Sequence, residues 1–593
     1  MRAAVEAAVG RVTALSLAAL PGAVWWLAGR PALSAGVLLA LLVAVTSLAA
    51  VLASSTWALA RATGRPAPSA GLAAGALAAW ISVDSQHVGL FQRHVDREAL
   101  RLFFGALRAR VLPFDPLSAL APLAVGLLAG GLAYGACRAA TRRGSSAWAW
   151  LAWPALGAAL LDRGLDLAEP AAARVIAIVP FRALPPAALY SERAADEPRP
   201  LEGGPRASER AFARYLEGLD ARATRGARVS SPLDLVIVHV ESLRADVVTE
   251  ALMPALSSLR ASCIAPARHH STGNNTGTGM FGLLTGLNGY HYEAARAARV
   301  KPLPLRRLAA AGYRLHAHLT GNLRTWDGLS AWMLEGVVPD LRFYEGDDAV
   351  ASDRRMVDGF VGSLAGRGDE PHLDYLVVDS THYDYSYPPE HARFAPVSKL
   401  TGLPLAEVAR RPDAVKNGYL NAVTWVDALL AELLRRVDAS GRRGRMAIVI
   451  TGDHGEAFYE HRSFGHGGSL LAEETRVAFV LCGPRPLSTR YTASSHADVM
   501  PTLFELIGMA PPDGPWTQGK SLLTYDPLLD FALLSSSVPG SRAHAVVSGG
   551  RKAYFVDEPT PLVGRVVDDE ERPADARGAD ALVHLGLLAR EVR

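Results

Sequence analysis

Cysteine is scarce in this chain. Only three occur in 593 residues, Cys137, Cys263 and Cys482, and they lie far apart. Cys137 closes a long apolar run, so neither a disulfide framework nor a cysteine-based metal site is expected. That absence leaves the compartment open, because exported bacterial domains often do without disulfides. Net charge is also small, +3, and nearly all the basic residues are arginine. No Lys/Arg block of the kind nucleic-acid-binding proteins carry is present, so nucleic acid is not an expected partner. Internal repeats and long low-complexity tracts are missing too.

What the chain has in excess is apolar sequence. Half of its residues are hydrophobic and its mean hydropathy is positive, which is unusual for a purely soluble protein. Charges are rare before residue 161 and frequent after it. Residues 12–29, 31–60, 66–83, 116–137 and 144–161 are uncharged and come close to, or exceed, the roughly 20 apolar residues that cross a bilayer. They predict five membrane spans. The first two are separated by Arg30 alone and form a tight hairpin. The first has the length of a signal peptide, but four further spans favour an uncleaved anchor.

Arginine counts on the two sides of such a bundle barely differ, so the positive-inside rule does not orient it. Residues 91–110 alternate Arg with Leu and Phe, as an amphipathic helix on a membrane surface does. A solvated loop helix reads equally well. Residues 1–165 are therefore expected to be the transmembrane region, and residues 166–231 an interfacial connector and linker. Residues 232–534 form a soluble domain, with a small subdomain of the same unit at 535–593.

In that soluble part, short runs rich in Val and Ile at 234–240, 313–319, 373–379, 446–451 and 477–483 predict strands. Helical patterns lie between them at 254–263, 304–311, 354–364, 414–437 and 499–507. The longest places Tyr419, Val423, Val426, Leu430, Leu433 and Val437 at steps of three and four, giving one buried face. Strands apolar throughout, alternating with helices, predict an α/β/α sandwich around a mostly parallel sheet. In such sheets, sites lie beyond the carboxyl ends of the strands.

Chemistry-bearing residues fall at those ends. Glu241 directly follows the first strand. Asp453 and His454 follow the fourth, in a Gly-Asp-His-Gly-Glu turn. An oxygen and a nitrogen donor side by side suit Zn²⁺ and, less exclusively, Mn²⁺. Between them the segment HHSTGNNTGTGMFGLLTG, residues 269–286, leads small residues into an apolar helix expected to begin near Met280. Its backbone N–H groups and positive helix end suit an anion. A Thr hydroxyl there, held by a metal, becomes a nucleophile; Thr276 is the choice, with Thr272 and Thr278 as competitors. A plain Thr or Asn helix cap explains the same segment without chemistry. His382 and His466, each past a strand end, are placed to donate hydrogen bonds to phosphate oxygens.

VESLRAD (240–246), the Gly-rich Thr loop, DHGE (453–456) and ASSHADVMPTLFEL (493–506) resemble, in that order, the sulfatase-like branch of the alkaline phosphatase superfamily. That branch includes phosphoethanolamine transferases, lipoteichoic acid synthases and, most similar, the inner-membrane sulfatase-like proteins of the YejM type. The resemblance implies an alkaline-phosphatase-like sandwich and one divalent ion (Zn, Mn or Mg) held by Glu241, Thr276, Asp453 and His454. It further implies Thr276 as the catalytic nucleophile, and His382, His466, Asn274 and His496 at the substrate phosphate.

The chain has no Cys-x-Pro-x-Arg block, so sulfate-ester hydrolysis is disfavoured. The implied activity is hydrolysis or transfer of a phosphate ester on a lipid or lipid-linked head group. The other reading is a weakly active or non-enzymatic lipid sensor in envelope lipid homeostasis. Expected partners are membrane lipids (lipopolysaccharide or anionic phospholipid) and a membrane protein. The resemblance places the chain in the bacterial inner membrane as a multi-pass protein with the soluble half in the periplasm.

Overall fold

Strands that are apolar along their whole length need cover on both faces, and the fold supplies it. The computed structural model describes residues 199–200 and 218–589, except 321–322, 324–328, 399–410, 462, 515, 537–542 and 557–561. Its main sheet has six strands. They are β1 (Asp234–Val240), β2 (Arg314–Leu319), β3 (Asp340–Phe343), β4 (His372–Val378), β5 (Met446–Gly452) and β6 (Phe479–Cys482). The spatial order is β6-β5-β1-β4-β2-β3. β1 runs parallel to β4 and β5, and β2 runs parallel to β4 and β3. Only β6, at one edge, is antiparallel to its neighbour. Every residue of β1, β4 and β5 is buried. All five strands expected from the sequence are in this sheet, which is mostly parallel as anticipated.

Helices supply the layers. They include α1 (Pro254–Leu259), α2 (Thr276–Thr285), α3 (Leu303–Ala310), α4 (Ala349–Leu364), α5 (Pro412–Ala439) and, after β6, α7 (Val499–Leu506), with the four-residue α6 (Ala472–Thr475) between. On α5 the six residues that define the expected apolar face are all buried.

Two local differences have physical causes. β3 was not anticipated, because Asp-Leu-Arg-Phe is half charged and lies at the sheet edge, where no continuous apolar run is required. Helix α2 starts at Thr276 rather than near Met280, because Asn275 caps it, its side chain accepting the Thr278 N–H at 2.9 Å. The glycines of its first turns are there for close approach. A Cβ on Gly279 would lie 2.2 Å from the backbone oxygen of Asp453.

The expectation of no disulfide is corrected. Cys263 and Cys482 are bonded across 219 residues of sequence. Ile264 and Leu481 form an antiparallel bridge, which sets their neighbours Cys263 and Cys482 opposite each other; sequence spacing carries no trace of that pairing. Both cysteines are buried. Closing so long a loop restricts the unfolded chain, so Cys263→Ser is expected to lower unfolding stability by about 2–4 kcal/mol. Urea unfolding of both proteins, with and without reductant, checks this: reductant should shift the parent and leave the variant unmoved.

After α7 the chain builds a second, antiparallel sheet from β7 (Ala532–Ser535), β8 (Ala543–Ser548), β9 (Arg551–Val556) and β10 (Leu562–Val567), with Arg199–Pro200 pairing on β10. Helix α8 (Ala579–Ala589) covers it. Phe531, Val546, Phe555, Val566, Val583 and Leu587 belong to its own core. The five apolar stretches of residues 12–161, the 91–110 segment and most of the 166–231 connector lie outside the described residues. Among the described residues no helix is long and apolar enough to cross a membrane.

Candidate metal and nucleophile site

The carboxyl ends of β1 and β5 meet because the two strands are in register, with Val240 opposite Gly452. The next residues, Glu241 on one chain segment and Asp453 and His454 on the other, therefore emerge side by side. Gly452 permits the crossing, since a Cβ there would sit 2.3 Å from the backbone oxygen of Leu243. Helix α2 brings its first residue, Thr276, to the same point. Its hydroxyl donates to Glu241 Oε1 at 2.9 Å and lies 3.3 Å from His454 Nε2. His454 Nε2 is 3.1 Å from Glu241 Oε1 and 3.3 Å from Asp453 Oδ2. All four side chains are buried. The structure thus brings together the four residues that the sequence singled out from three distant segments.

A fifth donor escaped the sequence reading. His239 lies two residues before Glu241, hence on the same side of the strand. Its Nε2 is 3.1 Å from Asp453 Oδ2 and 3.7 Å from Glu241 Oε2. Neither His239 Nε2 nor Asp453 Oδ2 makes a hydrogen bond, although both are buried. The other ring nitrogen, Nδ1, is bonded to the Tyr375 hydroxyl, the outer partner that a metal-binding imidazole normally has. Strand alternation could have flagged His239, but inside an unbroken apolar run it reads as a core residue.

This donor set fits a divalent cation. His239, Glu241 and Asp453 each offer a ligand atom within 4.8 Å of the others. Bonds of about 2.1 Å in tetrahedral array separate ligand atoms by roughly 3.4 Å, inside the 2.9–3.7 Å range seen across these contacts. Two orphaned polar atoms facing each other in a buried site are what a bound ion would satisfy.

Electrostatics agree. Burial alone would strip the charge from His454, but Asp453 and Glu241 outweigh it and hold the ring up at about 9. Burial likewise opposes ionisation of Glu241, yet the facing rings of His239 and His454 keep its carboxyl well below the usual range. Against burial, Tyr375 and Asp453 likewise hold His239 well above its ordinary value, so the two carboxylates are balanced by two ring protons, the positive charge that a bound cation would replace.

The remaining candidates divide. His466 is at the rim, its ring centroid 4.0 Å from that of His454 and its Nδ1 2.9 Å from Glu456 Oε2. His382, in the turn after β4, lies 6.1 Å from His466 between ring centroids. Asn274 is not aimed at the rim: its amide donates to the Ser469 carbonyl at 2.6 Å. His496 is placed beneath the site, fully buried, with Nε2 2.9 Å from the Gly452 carbonyl. Burial drives its ring down to about 4. It supports the strand end that carries Asp453 and does not reach the rim, contrary to its expected substrate role; the Ser-Ser-His-Ala-Asp string alone does not reveal which way the ring faces.

The first turn after β1 is braced from below. Arg244 donates to Glu460 Oε1 at 2.8 Å, and Lys416 donates to the same oxygen at 2.9 Å. Burial works against the Glu460 charge, but Arg244 and Lys416 prevail and hold its carboxyl at about 2. A carboxylate lowered in the folded state adds stability that is complete above its unfolded value near 4.5 and disappears as pH falls toward 2. Glu460→Gln is accordingly expected to flatten the acid limb of stability against pH between about 4.5 and 2, leaving stability at pH 7 as the lower of the two proteins. Denaturant midpoints measured across that window test it.

Residues 234–509 match the sulfatase family. A protein of Haemophilus influenzae is 21% identical over 326 residues, covering 55% of this chain and 48% of its own. The inner membrane protein YejM of Salmonella typhi is 24% identical over 286 residues, 46% of this chain and 42% of that protein. The matches span less than half the length of these curated relatives. Among solved structures, an alkaline phosphatase superfamily protein from Vibrio parahaemolyticus shares 16% identity with a TM-score of 0.46, covering 64% of this chain and 95% of that one. From β1 through α7, residues 234–509, the chain therefore carries a domain of the sulfatase family.

Proposed function

We propose that this protein is a membrane-anchored, metal-dependent hydrolase or transferase of phosphate esters on lipid or lipid-linked head groups, with Thr276 as nucleophile. One observation carries the proposal. The Thr276 hydroxyl stands at the start of a helix, 2.9 Å from Glu241 Oε1 and 3.3 Å from His454 Nε2, with His239 and Asp453 completing the donor set.

Glu241, Asp453, His454, Thr276 and His239 are the residues that would hold the ion. A bound divalent cation would lower the hydroxyl's pKa and offset charge on the phosphoryl oxygens. The chain's own groups do the rest. Glu241 Oε1 orients the Thr276 hydroxyl by accepting its hydrogen bond. Of the first-turn N–H groups of α2, that of Thr278 is taken by the Asn275 cap, which leaves those of Thr276 and Gly277 to meet the incoming anion. His382 and His466, from two different loops, close the rim and bind non-bridging oxygens. The displaced alcohol leaves, and water or an acceptor hydroxyl takes the phosphoryl group from Thr276 in a second step.

Placement at the inner membrane with the soluble half in the periplasm is part of the proposal. The relative named an inner membrane protein and the apolar N-terminal third support the first point. The Cys263–Cys482 bond supports the second, since disulfides persist in oxidising compartments. Anchoring would concentrate the site near lipid head groups.

The test assays the full chain in detergent with a phosphate monoester, a phosphate diester and a sulfate ester, each with Zn²⁺, Mn²⁺ or Mg²⁺. Phosphate-ester turnover that chelation abolishes and one of these ions restores is expected, with sulfate ester at least ~10²-fold slower. No turnover of either phosphate ester with any of the three ions overturns the proposal.

A further inference from the structure

Glu474, in α6, is a carboxylate buried without a cation. It is fully inaccessible. Its Oε1 accepts the hydroxyls of Ser463 at 2.8 Å and Ser469 at 2.6 Å. Its Oε2 accepts the N–H groups of Ser469 at 2.9 Å and Gly468 at 3.0 Å, and the Asn274 amide lies 3.5 Å away. Among the described residues no lysine or arginine bonds to it. An isolated buried carboxylate costs several kcal/mol unless hydrogen bonds replace its water. Here the donors come from two loops only.

Those loops are the ones that carry the chemistry. Residues 463–469 contain His466, and residue 274 stands two places before Thr276. Phe464 and Gly465 pair antiparallel with Phe458 and Ala457, and Gly465 and Gly467 both have positive φ, 76° and 79°, so the chain turns sharply as it leaves that pairing and the course of residues 466–469 depends on what they are tied to. Asn274 crosses between the loops through the Ser469 carbonyl at 2.6 Å. Behind α6 the clamp is anchored in the second sheet. Glu571 accepts the Ala472 N–H at 2.9 Å, and Lys552 of β9 donates to both Glu571 and the Leu470 carbonyl.

We propose that Glu474 is a positioning residue: by gripping Ser463, Gly468, Ser469 and Asn274 it sets the location of His466 relative to Thr276. This rests on the reading of Thr276 and His466 given above. Glu474 itself touches no substrate. Its removal should loosen the phosphate-binding rim while His239, Glu241, Asp453 and His454, held by β1 and β5, stay where they are.

The experiment uses the full chain with Glu474→Ala, Glu474→Gln, His466→Ala and the Glu474→Ala/His466→Ala pair. It reads inorganic phosphate affinity by calorimetry, metal content, and turnover of a phosphate monoester. Glu474→Ala is expected to weaken phosphate about 10-fold and to lower turnover about 10²-fold, with metal content unchanged. Glutamine offers one oxygen to the Gly468 and Ser469 N–H groups, and the serine hydroxyls can turn to accept its NH₂, so Glu474→Gln should stay within about 5-fold of the parent.

In the His466→Ala background, Glu474→Ala should cost less than about 3-fold further, because the two act through one group. A full additive loss in that background overturns the proposal. Should Glu474→Ala fail to fold, Ser469→Ala and Asn274→Ala carry the same cycle, each weakening phosphate in the parent and not in His466→Ala. If the parent turns over no ester, the Thr276 reading falls, while phosphate affinity still decides the role of Glu474.

Discussion

Thr276→Ala is expected to lower turnover of phosphate monoesters and diesters by at least ~10⁴-fold while the fold survives. The hydroxyl makes two contacts, with Glu241 and His454, and its methyl group packs in a helix start whose cap is Asn275 rather than Thr276 itself. Removing it therefore costs little stability, roughly 1 kcal/mol, and leaves the other metal donors in place. Thr276→Ser, which restores the oxygen with more rotational freedom, should recover most of the activity, to within about 10²-fold of the parent. Two measurements decide the matter: steady-state rates, and trapping of a phosphorylated chain by rapid quench, present in the parent and absent in Thr276→Ala. Equal rates in the parent and Thr276→Ala would falsify nucleophilic catalysis at this residue.

Asp453→Asn comes second in expected size. Asp453 Oδ1 accepts the N–H groups of Ser242 at 3.0 Å and His454 at 2.8 Å, and an asparagine oxygen can keep both. Oδ2, which faces His239 and His454, becomes an NH₂ that cannot ligate. Divalent-ion affinity should drop by about 10³-fold or more, and turnover at limiting metal should vanish with it. His239→Ala is the informative companion. With Nε2 facing two carboxylates and Nδ1 on Tyr375, it should weaken the ion by about 10–100-fold. Metal titrations followed by calorimetry give both numbers without any assay. An unchanged affinity in His239→Ala would reduce that residue to a packing role.

Legibility in the sequence followed burial. Strands β1, β4 and β5 are covered on both faces, so their runs are mostly apolar, with His239 and Asp374 among the exceptions, and stand out without coordinates. Glu241 and Asp453 were legible because each is the first charged residue after such a run, and His454 because it adjoins Asp453 in the same turn. Thr276 was legible as one of three hydroxyls in a Gly-rich segment, but only α2 decides among them. β3 was hidden because an edge strand tolerates Asp340 and Arg342. Cys263 and Cys482 were hidden because their proximity arises from the Ile264–Leu481 bridge. His239 was hidden by its apolar neighbours, and Asn274 and His496 were drawn toward the substrate by their motifs although their ring and amide groups face other parts of the protein.

Local chemistry alone therefore indicated five strands of the main sheet and the helices between them, the apolar face of α5, and the three segments that meet at the site. Those properties are written in consecutive residues, where period and polarity can be read directly. The tertiary structure decided which hydroxyl meets the carboxylate, that a histidine within a strand joins the donor set, that two cysteines 219 positions apart are bonded, and that Glu474 ties two loops together. Each of these depends on a distance between segments remote in sequence. Such distances are set by strand register and helix packing summed over the whole domain, and no short stretch of residues encodes them.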